Sequence, residues 1–144
     1  MDIQIRKMNS GDVEAVYKYG IEEKSFSNDS GSFWSKEQLF NWVESNEDIM
    51  LVVDFENEIV GFSLYSVHVP TRKVTWENLF VAPNFRGKGV ASALINAAQE
   101  QMVERGYVYV AGIVNAKNKS EFIPLAEKHG FKNNGSVIWI DKFI

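Results

Sequence analysis

The chain has no cysteine, which excludes a disulfide-stapled fold, thiolate metal sites and a cysteine nucleophile at one stroke. It is also short of positive charge. Its 15 Lys and Arg face 19 Asp and Glu, for a formal net charge of -4, the wrong sign for gripping nucleic acid through bulk electrostatics. Any anion site must therefore be local. No apolar run is long enough to cross a bilayer or form a signal peptide, and Met1–Arg6 alternates polar and apolar residues from the outset. A cytoplasmic protein is expected, engaging neither membrane nor nucleic acid and carrying no metal.

What is present fits one domain spanning residues 1–144: 45% hydrophobic and 24% charged residues suffice for a continuous core and leave no room for a second unit. Ile3, Ile5 and the stretch to Met8 read as a strand ended by Asn9-Ser10-Gly11-Asp12, turn formers that also cap a helix running from Val13 to about Lys24. Ser35 followed by Gln38 predicts the start of a second helix, with Leu39, Phe40, Trp42 and Val43 as its apolar stripe. Ile49–Phe55 and Ile59–Val69 are β-branched and aromatic runs split by a polar turn, hence two antiparallel strands.

A further strand, Val74–Val81, is broken by Ala82-Pro83-Asn84. The helix that follows, Val90–Arg105, has apolar residues at 90, 94, 95, 98 and 102 and stops at Gly106. Tyr107–Val114 is almost wholly apolar and predicts a strand buried on both faces, parallel to Val74–Val81 because a helical crossover joins them. A last helix to His129 and strand-like residues at Phe131 and from Val137 to Phe143 complete the chain, with Pro124 expected to disturb that helix. The fold class is α/β (α+β), a single mixed sheet with helices.

Between the strand at 74–81 and the helix at 90 lies Arg86-Gly87-Lys88-Gly89-Val90-Ala91. A turn at a helix N-terminus presents N–H groups without intrahelical partners and the positive end of the helix dipole, so it suits phosphate oxygens. Gly87 and Gly89 have no Cβ to obstruct a ligand, and Arg86 and Lys88 bring cationic side chains beside it. A plain glycine-capped turn is the competing reading. The loop is neither a nucleotide-binding lysine loop, since Gly89 follows Lys88, nor a dinucleotide fingerprint.

Arg86, Gly89 and Ala91, preceded by Leu79-Phe80-Val81-Ala82-Pro83, resemble the cofactor loop of the GNAT acyltransferase superfamily, and the order of elements is similar over essentially the whole chain. The resemblance implies a mostly antiparallel sheet with helices on both faces and splayed fourth and fifth strands. It implies acetyl-CoA as acyl donor. Leu79, Phe80 and Val81 would line the pantetheine arm, Arg86, Gly87, Lys88, Gly89, Val90 and Ala91 would hold the pyrophosphate, and Asn115 and Asn118 would reach the pantetheine or the reacting groups. The two asparagines are equally readable as turn formers.

Acyl transfer from a thioester to an amine needs a base, a donor for the developing oxyanion and a proton for the departing thiolate. Glu77 is the expected base, because strand alternation sets it on the side of Leu79 and Val81; a paired or exposed carboxylate is the alternative. His68 stands second as base. The family's tyrosine acid is replaced by Ala126 in Leu125-Ala126-Glu127-Lys128-His129-Gly130-Phe131, leaving water or Ser120 for that proton.

The expected activity is N-acetylation of a primary amine, on a small molecule, a peptide N-terminus or a lysine. A catalytically degenerate acyl-CoA sensor is the rival, and a nucleotide-binding regulatory domain a weaker third. Phe26, Asp29, Phe33 and Trp34 would suit a cationic acceptor or else anchor their loop to the core, while Arg72 and Lys73 point towards an acidic one. The apolar C-terminal segment allows a monomer or a homodimer.

Overall fold

A computed structural model describes residues 1–26, 33–114, 119–135, 140 and 142. Among them the chain runs β1 (Gln4–Lys7), α1 (Val13–Glu22), α2 (Lys36–Val43), β2 (Ile49–Phe55), β3 (Glu58–His68), β4 (Lys73–Val81), α3 (Val90–Glu104), β5 (Val110–Gly112) and α4 (Lys119–Lys128). The strands form one sheet in the order β1-β2-β3-β4-β5, antiparallel except for the parallel β4–β5 pair. That exception follows from the α3 crossover between them. The mixed, mostly antiparallel fold expected from sequence is the fold observed.

Local chemistry accounts for the element ends. Asn9 Oδ1 accepts from Gly11 N–H at 2.8 Å while Asp12 accepts from Asn9 N–H at 2.8 Å, a reciprocal cap that opens the first helical segment. Arg6 then donates to both Asp12 oxygens, at 2.8 and 2.9 Å, and to Asp54 at 3.2 Å, tying β1 to the start of α1 and to β2. Burial pushes the Asp12 carboxyl up, but the Arg6 guanidinium and the Asn9 N–H outweigh it and hold the group below the usual carboxylate range. The β2–β3 hairpin turns on Glu56 and Asn57, with φ of 52° and 66°, the double left-handed turn whose twist matches that of paired strands.

Helices cover both faces. On one face, Tyr19 of α1 lies 4.7 Å from Phe80, and Phe26 and Phe33 pack on Phe62 at 6.2 and 5.8 Å. On the other, Phe122 of α4 and Phe131 sit 4.9 and 5.1 Å from Trp76, which stacks on Tyr65. The α3 stripe of Val90, Leu94, Ile95, Ala98 and Met102 is buried as its spacing predicts.

Two expectations need correction. Tyr107–Val114 does not form a long strand buried on both faces: β5 is three residues long, and Val108, Tyr109 and Ile113 are 98%, 63% and 72% exposed. An apolar run carries no periodicity from which exposure follows, and β5 is the sheet's last strand among the described residues. Pro124 stands inside α4 rather than limiting it; the missing N–H orphans the carbonyl of exposed Ser120, where water can serve it. The strand expected over Val137–Phe143 lies outside the described residues except for positions 140 and 142, and Phe131 belongs to no strand.

Candidate active site

The site begins with an unfinished strand pair. Among the described residues β5 pairs with β4 only at Val74, Thr75 and Trp76, whereas β3 continues alongside β4 to Val81. Ala82 N–H bonds Val60 O at 2.9 Å, and backbone polar groups alternate in direction along a strand. The N–H and C=O of Leu79 and Val81 therefore face away from β3, along an edge that β5 does not close. One is already used: Arg86 Nε donates to Val81 O at 2.7 Å. Leu79 N–H, Leu79 C=O and Val81 N–H are left facing the open edge. Phe80 turns its backbone towards β3, and its buried ring stacks on Phe62 at 5.4 Å.

At the end of this edge, a 3-10 turn at Pro83–Phe85 delivers the chain to Gly87 and Gly89, with φ of 70° and 82°, conformations that a side chain disfavours. The first backbone bond into α3 runs from Ala93 N–H to Gly89 O at 3.0 Å, and no side chain caps the helix. The N–H groups of Val90, Ala91 and Ser92 thus precede the helical ladder. Among the described residues, apart from the adjoining ones in the chain, no atom lies within 4 Å of where a Cβ would stand on Gly87 or Gly89. Space and donors coincide, which is what a diphosphate requires.

The cations of the loop do not share one task. Arg86 turns back from the glycines, bonding Val81 O, reaching Glu23 at 3.4 Å and lying 5.9 Å over the Phe80 ring. It joins the loop to the end of α1. Lys88 lies over Phe85 at 5.8 Å. Ser92, in the first turn of α3, is bonded at 2.9 Å to Nε2 of His129, so the end of α4 is fastened beside the same loop. No local motif in the sequence points to this pair.

The expected face of Glu77 is corrected by the register. Leu64 pairs with Asn78 but Tyr65 pairs with Trp76, so Glu77 is the extra residue of a β-bulge. One inserted residue reverses the alternation beyond it. Glu77 bonds Ser66 Oγ at 2.6 Å, and Ser66 shares the face of Phe62 and Leu64, towards α1 and α2. Leu79 and Val81 pair with Ser63 and Gly61 and direct their side chains to the opposite face. The carboxylate and the open backbone edge still adjoin, because the bulge lies where β5 pairing stops.

Asn78 follows on the same face as Glu77, and its Oδ1 accepts from Trp34 Nε1 at 2.7 Å. Trp34 packs edge-on against Trp42 of α2 at 4.8 Å. Of the loop aromatics, Phe26 and Phe33 anchor to the core and Trp34 alone reaches the bulge by a polar bond; Asp29 lies outside the described residues, as do Asn115 and Asn118. A polar residue inside a strand is the signal that marks Asn78, since Asn is depleted there.

His68 is exposed at the end of β3 and bonded to Thr71 at 2.7 Å. Arg72 is committed to Gly106 O at 2.6 Å and to the Tyr107 ring, and Lys73 is exposed. Ala126 is buried, and Ser120 is exposed. Among the described residues no three His, Asp or Glu side chains are grouped to hold a metal, and no helix is long and apolar enough to cross a membrane.

The sequence profile of the acetyltransferase (GNAT) family matches residues 13–131. The chain belongs to the GNAT family. It is 32% identical over 99 residues to an uncharacterized N-acetyltransferase of Methanocaldococcus jannaschii, a match covering 65% of this chain and 43% of that relative. The chain thus spans less than half the length of that protein. Among solved structures, the PaiA N-acetyltransferase of Thermoplasma acidophilum in complex with coenzyme A superposes with a TM-score of 0.78 at 22% identity, over 94% of this chain and 95% of that one. An aminoglycoside acetyltransferase from an uncultured soil metagenomic sample, in complex with sisomicin, gives 0.77 at 18% identity over 99% and 96%. At these identities the likeness of the two structures is one of fold.

Proposed function

We propose that this GNAT domain transfers an acetyl group from acetyl-CoA to a primary amine, with Glu77 as the base. The observation that carries the reading is the open edge of β4 leading directly to the uncapped start of α3. Leu79 and Val81 offer an extended pantetheine arm the backbone groups that β5 leaves unpaired. Gly87, Gly89 and the N–H groups of Val90, Ala91 and Ser92 accommodate the diphosphate. The thioester supplies an electrophilic carbonyl and a thiolate leaving group.

A backbone N–H at Leu79 or Val81 takes the charge developing on the carbonyl oxygen. Glu77, with Oε1 held by Ser66, accepts a proton from the attacking amine, directly or through one water. The new N–C bond forms as the C–S bond breaks, and CoA leaves as thiolate, protonated from solvent. Buried Ala126 has no proton to give. A thiolate is a fair leaving group near neutral pH, so the step proceeds without a dedicated acid.

Ala126 favours a second reading, a domain that binds acyl-CoA without turning it over. Calorimetric titration of acetyl-CoA and of CoA into the wild type and into Gly89→Val, followed by assay of CoA release with an amine, separates the cases. Binding that is lost in Gly89→Val, with amine-dependent release, supports transfer. Binding without release leaves the sensor. No binding to the folded wild type overturns both.

A further inference from the structure

The bulge that positions Glu77 also positions a hydrogen-bond donor beside it. Indole Nε1–H can only donate, so the Asn78 atom 2.7 Å from it is the carbonyl Oδ1. This bond fixes the orientation of the amide and turns its NH₂ group away from Trp34. The indole is itself held, edge-on to Trp42, and Ser35 next to it caps α2 through a 3.1 Å bond from Gln38 N–H. Among the described residues no acceptor meets the Asn78 NH₂, which is half-buried and shares its face with the Glu77 carboxylate. Glu77 Oε1 is engaged by Ser66, and Oε2 is the oxygen left for an amine.

From this juxtaposition we infer that Asn78, locked by Trp34, is a specificity-determining residue that selects amines carrying an oxygen on a neighbouring carbon. The inference rests on the transferase reading and deepens it. The reacting nitrogen donates a proton to Glu77 while an oxygen on the carbon next to the amine-bearing one, three bonds from that nitrogen, takes a hydrogen bond from Asn78 Nδ2. Both an α-amino carbonyl, as at a peptide N-terminus or in an amino-acid amide, and a 1,2-amino alcohol present that pattern. A plain alkylamine does not. A site that offers a half-buried donor penalises a substrate leaving it unpaired more than it penalises a missing methylene.

The test compares kcat/KM for glycinamide, ethanolamine and n-propylamine, each corrected to its free-base concentration, in the wild type, Asn78→Asp and Asn78→Leu, with CoA binding measured for all three proteins. Asn78→Asp keeps the acceptor for Trp34 and loses the donor, so it serves if Asn78→Leu fails to fold. Expected is a wild-type preference of about tenfold or more for an oxygen-bearing amine over n-propylamine, collapsing towards unity in the variants while CoA binding persists. Preference for glycinamide alone assigns the α-amino carbonyl class, and preference for ethanolamine alone the amino alcohols. Equal use of all three amines by the wild type, or an unchanged ratio in the variants, overturns the inference and leaves the transferase standing. CoA binding with no release by any amine overturns both.

Discussion

Two stretches of β4 follow one another in the chain and differ in what lies on the side away from β3. Lys73–Trp76 alternates regularly, pairs with β3 throughout and has β5 on its other side from Val74. Among the described residues Asn78–Val81 pairs with β3 alone, and its side chains are reversed by the bulge at Glu77. The first stretch is ordinary sheet: Val74 and Trp76 are buried and contribute mainly to the core. The second exposes backbone groups that must bond something, since an unpaired polar group removed from water is costly. The candidate site is thus a place where the sheet stops being satisfied by itself, and the bulge is the device that sets a carboxylate at that boundary.

Substitution at the boundary is expected to have the largest effect. Glu77→Gln should lower kcat by about 10²- to 10⁴-fold with little change in the KM for acetyl-CoA, and should alter the pH–rate profile; an unchanged profile would take Glu77 out of the mechanism. Next, Gly89→Val should weaken CoA binding by about 100-fold or more, because a β-branched residue is strained at φ 82° and crowds the diphosphate. Thermal unfolding of the same protein should show a much smaller loss, which would place the effect in the open stretch rather than in the core.

The closed part of the sheet and its helices should respond in stability instead. The Phe33 ring lies so close to Gly20 of α1 that a Cβ there would collide with it. Gly20→Ala should therefore cost about 1–3 kcal/mol as Phe33 and its neighbours shift, read from urea denaturation, with CoA affinity retained. If CoA affinity falls in parallel, the two regions are not separable.

The smallest effect is expected farthest from β4. The Asp12 carboxyl is held below its ordinary value, so the stability it contributes is full above the unfolded-state pKa of about 3.9 and disappears as pH falls through the lower folded value. Asp12→Asn should lower stability at neutral pH by about 1–2 kcal/mol and flatten the decline on acidification, measured as urea midpoints between neutral and acid pH. CoA binding should be unaffected.

Much of this was legible in the residues. The buried stripe of α3 follows from residues 90, 94, 95, 98 and 102, because helical period and burial are one constraint read twice. The helix starts at Asn9–Asp12 and at Ser35 were likewise visible, since capping is local chemistry. The extent and exposure of β5 are not legible, because an apolar run records composition and not which neighbours arrive. The face of Glu77 is not legible either, because nothing in Trp76-Glu77-Asn78 announces an extra residue; the bulge exists only relative to β3.

The sequence by itself determined the elements other than the extent of β5, and the loop at 86–91, all properties of short stretches whose backbone conformation their own side chains and glycines select. Only the tertiary structure decided that Arg86 turns back onto Val81 and Glu23, that Ser92 meets His129 across 37 residues, and that Trp34 fixes Asn78 across 44. These contacts depend on how distant elements pack, which local propensity does not encode. The chemistry proposed for Glu77 and Asn78 arises there, where two registers disagree by one residue.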